Sequence, residues 1–262
     1  MPKKKVLFFD IDGTIWNEKN EIPGSTVDAI RTVRRNGHLA FLNTGRCSSY
    51  IQNPDLLSIG FDGVVCGCGT MIEYMGETIF YKRLEEALVE HTVKTVRKFG
   101  FRPILEGREY LYLDDCEFGQ DPYGIKLKAE MGDQLRTIAG EWGRWEVSKL
   151  ACAMDGADKK GCFAALEEYY TYMVHNDAVV EMVPKGFDKG TGIVHVCQLL
   201  NMDISDTIAF GDSANDLEML RSSGLGVAMG NGTEEAKKAA GYVTAPMMED
   251  GIWKAYKYLG LL

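Results

Sequence analysis

Short apolar runs alternate with helical periodicity along the first part of the chain. Lys5–Phe9 is apolar after its first residue and is stopped at once by polar residues, as expected of a buried strand. Ser25 fits the N-cap of a helix that turns Val27, Ile30 and Val33 to one side and closes near Gly37. Leu39–Leu42 and Gly63–Cys66 read as two further strands. Strand, helix and strand at this spacing predict parallel pairing through right-handed crossovers.

The pattern then changes. Met71–Tyr74 and Thr78–Tyr81 flank Met75-Gly76-Glu77, which predicts a hairpin. A helix follows over Leu84–Phe99, then short strands around Pro103–Leu105 and Tyr110–Leu113. Helices near Lys126–Ala139 and Lys159–Tyr169 alternate with strands near Val147–Ala153, Tyr172–Val174 and Val179–Val183. From Lys189 the first pattern returns: helices over Gly192–Leu200, Asp216–Leu220, Glu234–Ala240 and Ile252–Leu259 alternate with strands over Thr207–Phe210, Leu225–Val227 and Tyr242–Val243. The expected architecture is an α/β core, residues 1–82 and 185–262, interrupted by an α+β domain over 83–184, about one hundred residues, a normal domain size.

Composition narrows the class without naming it. The 262 residues are 45% hydrophobic and 26% charged, with a net charge of −9 and a pI near 5.1. No long basic run favours nucleic acid or an anionic membrane. Lys3, Lys4 and Lys5 precede only Val6–Phe9 before Asp10, too short an apolar stretch for a signal peptide, and no transmembrane run appears. Seven cysteines, an odd number without metal-ligand spacing, predict reduced thiols, a cytoplasmic setting and no zinc site.

In an open parallel sheet the site lies beyond the carboxyl ends of the strands. Four polar clusters fall there: Asp10-Ile11-Asp12-Gly13-Thr14, Asn43-Thr44-Gly45-Arg46, Asp188-Lys189-Gly190-Thr191-Gly192 and Gly211-Asp212-Ser213-Ala214-Asn215-Asp216-Leu217. If the first strand runs through Asp12, alternation points Asp10 and Asp12 to one spot, where a divalent cation relieves their repulsion. Hard carboxylate oxygens suit magnesium. A calcium loop is excluded, because its sixth position must be glycine and is Ile15. The third cluster lacks the order of a Walker loop. Thr44 with its neighbouring amides, and Lys189, suit phosphate oxygens, and Asp212 can complete a metal site. Taken singly, each cluster also reads as a turn, a helix cap or a surface lysine.

Together, in this order, the motifs "FFDIDGT", "NTGR", "DKGTG" and "GDSANDLEML" resemble those of the haloacid dehalogenase-like superfamily. Within it the chain is similar to the Cof-type phosphatases of class IIB, which carry a large α+β cap. "VVEMVPKGFDKG" and the run "VAMGNGTEEAKKAAGYVTAPMMEDGIWKA" extend the likeness over nearly the whole chain, with Cys68-Gly69-Thr70 where many relatives have Asn-Gly-Ala. The resemblance implies a Rossmann-like three-layer α/β core with a parallel sheet, and a cap that closes over a small substrate. It implies magnesium-dependent phosphatase chemistry: Asp10 as the nucleophile that becomes an aspartyl-phosphate, and Asp12 as general acid and base. Magnesium would be held by Asp10, the Asp12 carbonyl and Asp212. Asp216 would orient Lys189 or a metal-bound water. Thr44, Lys189 and Asn215, with the amides of Ile11 and Gly45, would cradle the phosphoryl group. Glu181 and the turn Glu106–Tyr110 are the cap candidates for selecting substrate, against a plain reading as strand exterior and hairpin loop. The expected partner is a small phosphorylated metabolite, with no nucleic acid or membrane, and the expected state a monomer or weak homodimer. A phosphomutase, or a non-catalytic phosphometabolite-binding protein, are the alternatives.

Overall fold

The computed structural model describes residues 3–262. In chain order its elements begin with β1 (Val6–Phe9), α1 (Gly24–Arg35), β2 (Leu39–Asn43), α2 (Pro54–Ser58), β3 (Gly63–Cys66), β4 (Met71–Tyr74) and β5 (Glu77–Tyr81). The middle of the chain forms α3 (Glu86–Lys98), β6 (Arg102–Glu106), β7 (Leu111–Tyr112), α4 (Asp115–Phe118), α5 (Pro122–Met131), β8 (Leu135–Arg136), β9 (Lys149–Ala153), α6 (Lys159–Leu166), β10 (Tyr170–Val174) and β11 (Val179–Pro184). The last part forms α7 (Lys189–Leu200), β12 (Thr207–Gly211), α8 (Leu217–Ser222), β13 (Leu225–Ala228), α9 (Glu234–Ala239), β14 (Tyr242–Val243) and α10 (Gly251–Leu259).

The chain divides into two compact units: 3–45, 52–80 and 187–262 in the first, 46–51 and 81–186 in the second. The first is built on an eight-stranded sheet in the order β14-β13-β12-β1-β2-β3-β4-β5. From β14 to β3 every pairing is parallel, and β4 joins β3 antiparallel. The central strands are apolar on both faces, as a sheet covered by helices on both sides requires. Val6 and Phe8 of β1 face Phe41, Ile193 and Val196, so α7 covers that face. Phe9 points the other way, stacks on Phe210 at 5.0 Å and meets Tyr256 of α10. That alternation gives the three layers of an α/β core. Between β4 and β5, Met75 and Gly76 have φ of 53° and 84°, the left-handed pair that a two-residue hairpin of matching twist demands.

The second unit is α+β. Its six-stranded sheet runs β10-β11-β9-β6-β7-β8, antiparallel except where β7 meets β8. Leu150 and Cys152 of β9 face the cluster that contains Val89, Val93 and Val96 of α3 and Leu166 of α6. Ala151 and Ala153 face the opposite cluster, with Phe118 of α4, Leu127 and Met131 of α5, and Cys47.

Several local expectations change. Ser25 does not cap α1: the helix begins at Gly24 with Pro23 before it, and the buried Ser25 hydroxyl has no hydrogen-bond partner. The apolar periodicity over Lys126–Ala139 covers only the end of α5, because Gly132, at φ 49°, stops the helix and Leu135–Arg136 then pairs with β7. The third helix from the end starts at Leu217, preceded by a tight turn over Ala214–Asp216 capped by Ser213. Residues 46–51, expected in the core, pack with the second unit, where Cys47 joins its apolar cluster and the Ser49 hydroxyl donates to the Gly107 carbonyl at 3.0 Å.

Candidate active site

β1 and β12 are adjacent and parallel, with Phe9 paired to Phe210, and each ends in an aspartate region. The Asp10 amide donates to the Phe210 carbonyl at 2.9 Å, which continues the register one residue past the strand. Asp10 is buried, 3% exposed. Asp212 follows β12, and its Oδ1 accepts from the Thr14 hydroxyl at 3.2 Å. The chain passes close to it at Gly13, where φ is 82° and a Cβ would lie 2.3 Å from Asp212 Oδ2. Only glycine fits there, so the "DGT" sequence is shaped by the carboxylate it passes.

Lys189 arrives as the first residue of α7. Asp188 caps that helix in a reciprocal box with Thr191, and the Asn43 amide at the end of β2 donates to the Lys189 carbonyl at 2.9 Å. These contacts fix the backbone of a fully buried lysine whose Nζ donates at 2.6 Å to both Asp10 Oδ1 and Asp216 Oδ1. The other Asp216 oxygen accepts from the amides of Asp212 and Ser213 at 2.9 and 3.0 Å. Asp216 therefore ties Lys189 to the loop that carries Asp212.

One ammonium faces three carboxylates. Oxygens of Asp10, Asp212 and Asp216 lie within 4.8 Å of one another. Burial and then the Asp216 charge push the Asp10 carboxyl well above its ordinary range, and Lys189 only partly opposes them. The same two causes raise Asp212 to about 7. Burial alone would lower the Lys189 ammonium, but Asp10 and Asp216 outweigh it and raise it. Fully ionised, the cluster would hold more negative charge than its lysine neutralises. An all-oxygen donor set with surplus charge is what a hard divalent cation fits.

The remaining predicted residues divide. Thr44, 1% exposed, follows β2, the strand on the other side of β1, and its amide and carbonyl are held by Val65 and Cys68. Ile11 and Gly45 are buried, and Asn215 is half-buried with Oδ1 accepting from the Ser213 hydroxyl at 2.7 Å. Asp12 corrects an expectation. The strand does not run through it: β1 ends at Phe9, and the Ile11 carbonyl accepts from the amides of Thr14, Ile15 and Trp16, which curls the chain. Its side chain is exposed and stands outside the carboxylate cluster, with Oδ1 accepting from Trp16 Nε1 at 2.9 Å. It nonetheless lines, with Asp212, an open cavity of about 550 Å³. Two residues of the quoted motifs were given no role from the sequence. Thr14 steadies Asp212, and Asn231 donates to the Gly13 carbonyl and accepts from the Met247 amide, at 2.8 Å each. Asn231 lies inside "VAMGNGTEEAKK", so position in a motif was its only sequence signal.

Residues 7–256 match the family model described as haloacid dehalogenase-like hydrolase. The chain belongs to this family. It is 32% identical over 259 residues to the Bacillus subtilis (strain 168) protein named "Putative phosphatase YkrA", covering 98% of both chains. It is 28% identical over 261 residues to a phosphoglycolate phosphatase of Methanosarcina acetivorans, covering 98% of this chain and 97% of that one. The solved structure of the subclass IIB sugar phosphatase BT4131 superposes with a TM-score of 0.83 at 28% identity, covering 99% of this chain and all of that one. The protein is thus a hydrolase with the mixed α/β fold of that subclass. Among the described residues no helix is long and apolar enough to cross a membrane.

Proposed function

We propose that this hydrolase is a magnesium-dependent phosphatase of small phosphorylated metabolites, a sugar phosphate or a similar phosphomonoester, acting through an aspartyl-phosphate at Asp10. The observation that carries the proposal is the buried Asp10–Lys189–Asp216 chain beside Asp212, a nucleophile, a cation and a metal-ligand set in one place. The names of the relatives above point the same way.

In the first step an Asp10 carboxylate oxygen bonds to phosphorus and the bond from phosphorus to the leaving oxygen breaks. Asp12 gives that oxygen its proton. In the second step water loses a proton to Asp12 and attacks phosphorus, which frees Asp10 and inorganic phosphate. Dividing the reaction at a covalent intermediate replaces one hard step with two easier ones. Lys189, Thr44, Asn215 and the amides of Ile11 and Gly45 hold the equatorial oxygens, on which the transition state carries its charge. Magnesium, held by Asp10, Asp212 and the Asp12 carbonyl, would supply the charge that lets a carboxylate approach a phosphate dianion. Asp216 keeps Lys189 and the Asp212 loop in place.

The test is release of inorganic phosphate from a panel of sugar phosphates and phosphorylated carboxylic acids, with and without magnesium. Asp10→Asn should lower turnover on the order of 10⁶-fold, the scale seen when a covalent nucleophile is removed. It should do so in a protein that still folds. Wild-type turnover in that variant, or transfer of the phosphoryl group to a second sugar without free phosphate, would overturn the proposal.

A further inference from the structure

The five residues after Ile11 fold a buried ring against the exposed side chain of Asp12. The Ile11 carbonyl accepts from three amides, the Gly13 amide donates to the Trp16 carbonyl at 2.9 Å, and Asp12 and Trp16 form an isolated β-bridge. Trp16 is 3% exposed, and its indole Nε1 donates to Asp12 Oδ1 at 2.9 Å. Resting on the phosphatase reading above, we infer that Trp16 is the positioning residue for the acid–base carboxyl of Asp12.

The chemistry of the donor is the reason. An exposed aspartate samples several rotamers, and each wrong one lengthens the path of the proton it must deliver. A ring locked by burial and by the closed loop holds one carboxylate oxygen at a fixed place. An indole N–H only donates. It cannot take the proton of Asp12. With Oδ1 accepting from the indole, the proton that Asp12 carries sits on Oδ2. In the first step the Oδ2–H bond breaks and the leaving oxygen gains the proton, and in the second step Oδ2 recovers one from water. A buried indole also needs a hydrogen-bond partner, so the opposing account is that Asp12 merely satisfies Trp16.

Leaving groups separate the two accounts. An ester whose leaving group is an acidic phenol, such as 4-nitrophenyl phosphate, departs without a proton, whereas an alkyl phosphate needs one. Trp16→Phe keeps a ring in the loop and removes the donor. It should lower kcat/KM, which reports only the steps through formation of the aspartyl-phosphate, about 10- to 100-fold on an alkyl phosphate, part of the 10²–10⁴ that a placed general acid contributes. The loss of kcat/KM on 4-nitrophenyl phosphate should stay within about threefold on the same argument, while hydrolysis of the shared aspartyl-phosphate, for which Asp12 is the base, slows both esters alike. In an Asp12→Ala background the same change should add nothing, since the coupling then has no partner. Independently of turnover and of Trp16→Phe folding, the Trp16 indole N–H resonance of the intact protein should move in Asp12→Ala. An equal loss of kcat/KM on both esters, an undiminished loss in the Asp12→Ala background, or an unmoved indole resonance would overturn the role of Trp16 and leave the phosphatase standing. A wild-type protein that hydrolyses no ester in magnesium would instead remove the phosphatase reading itself.

Discussion

Lys189 in the first unit and Lys149 in the second make the same local picture. Their side chains are 0% and 1% exposed, and each stands between two carboxylates: Asp10 and Asp216 at 2.6 Å, Glu106 and Glu181 at 3.0 and 2.8 Å. What differs is the next charged group. Beyond the Lys189 pair lies Asp212, a third carboxylate. Beyond the Lys149 pair lies His175, whose Nε2 is 2.9 Å from Glu181 Oε1. The third group is thus a further acid in the first cluster and a base in the second. A buried ion pair is poor evidence of function in itself, since such pairs also occur as satisfied structural elements. The third carboxylate gives the first cluster the ligand set of the cation site proposed above, whereas the second cluster has a histidine in that place.

This contrast can be broken at its strongest point by removing each lysine. Lys149→Met strands two carboxylates in the second unit and should cost about 3–5 kcal/mol of stability, the price of leaving buried charge unpaired. Thermal or urea unfolding reads this loss. Replacing Glu106 and Glu181 by glutamine in the same protein should recover much of it. Lys189→Met also strands buried carboxylates and should cost stability, but in addition kcat should fall about 10²–10³-fold, as when one donor to a developing oxyanion is lost, a loss of rate that Lys149→Met should not show. If both variants lose rate alone or stability alone, the distinction fails.

Magnesium sharpens the comparison at smaller cost. At one hundred times its dissociation constant, a ligand that binds only the folded state adds about 2.7 kcal/mol. For a unit of this size that raises the melting temperature by roughly 5–11 °C. Calorimetry with magnesium against chelator should show the gain, and Asp212→Asn should abolish it while leaving the second unit unaffected.

The effect smallest per step is a pair of opposed pH responses. Asp212, raised to about 7, keeps a proton in the folded protein that the unfolded chain has released. Without divalent metal, stability should therefore fall as pH rises from about 4 to 7, by at most about 1.4 kcal/mol per pH unit. Magnesium should flatten the slope. Burial would raise the Glu181 carboxyl, but Lys149 and His175 outweigh it and hold it at about 2. Its contribution is complete above the ordinary glutamate range and is lost as pH falls toward 2, the opposite sign. Glu106 is raised instead, because its burial outweighs Lys149. Unfolding midpoints from pH 3 to 8, with and without magnesium, test both slopes.

Much of the first unit was legible before any coordinates. Apolar runs long enough for strands, helical periods between them and polar residues where each strand stops set the parallel order. Asp10, Lys189, Asp212 and Asp216 were visible because strand ends carry sites and because their motifs come in a recognisable order. Local rules failed where one or two residues decide the path. Strand alternation aimed Asp12 at Asp10, but the chain curls after Phe9 and gives Asp12 to Trp16. Glu106 and Glu181 invited a reading as loop and strand exterior, yet Glu106 is buried and both pair with Lys149. Lys149 itself read only as part of an apolar strand.

The sequence by itself therefore determined the candidate site residues, the order of most strands and helices, and the insertion of a second unit. Those depend on periodicity and short motifs, which are local. The tertiary structure alone decided which charges meet. Lys189 reaches Asp10 across 179 positions and Lys149 reaches Glu106 across 43, through strand register and helix placement that no local pattern encodes. Two buried lysines of equal local aspect thereby have different third groups beside them, a carboxylate in one unit and a histidine in the other.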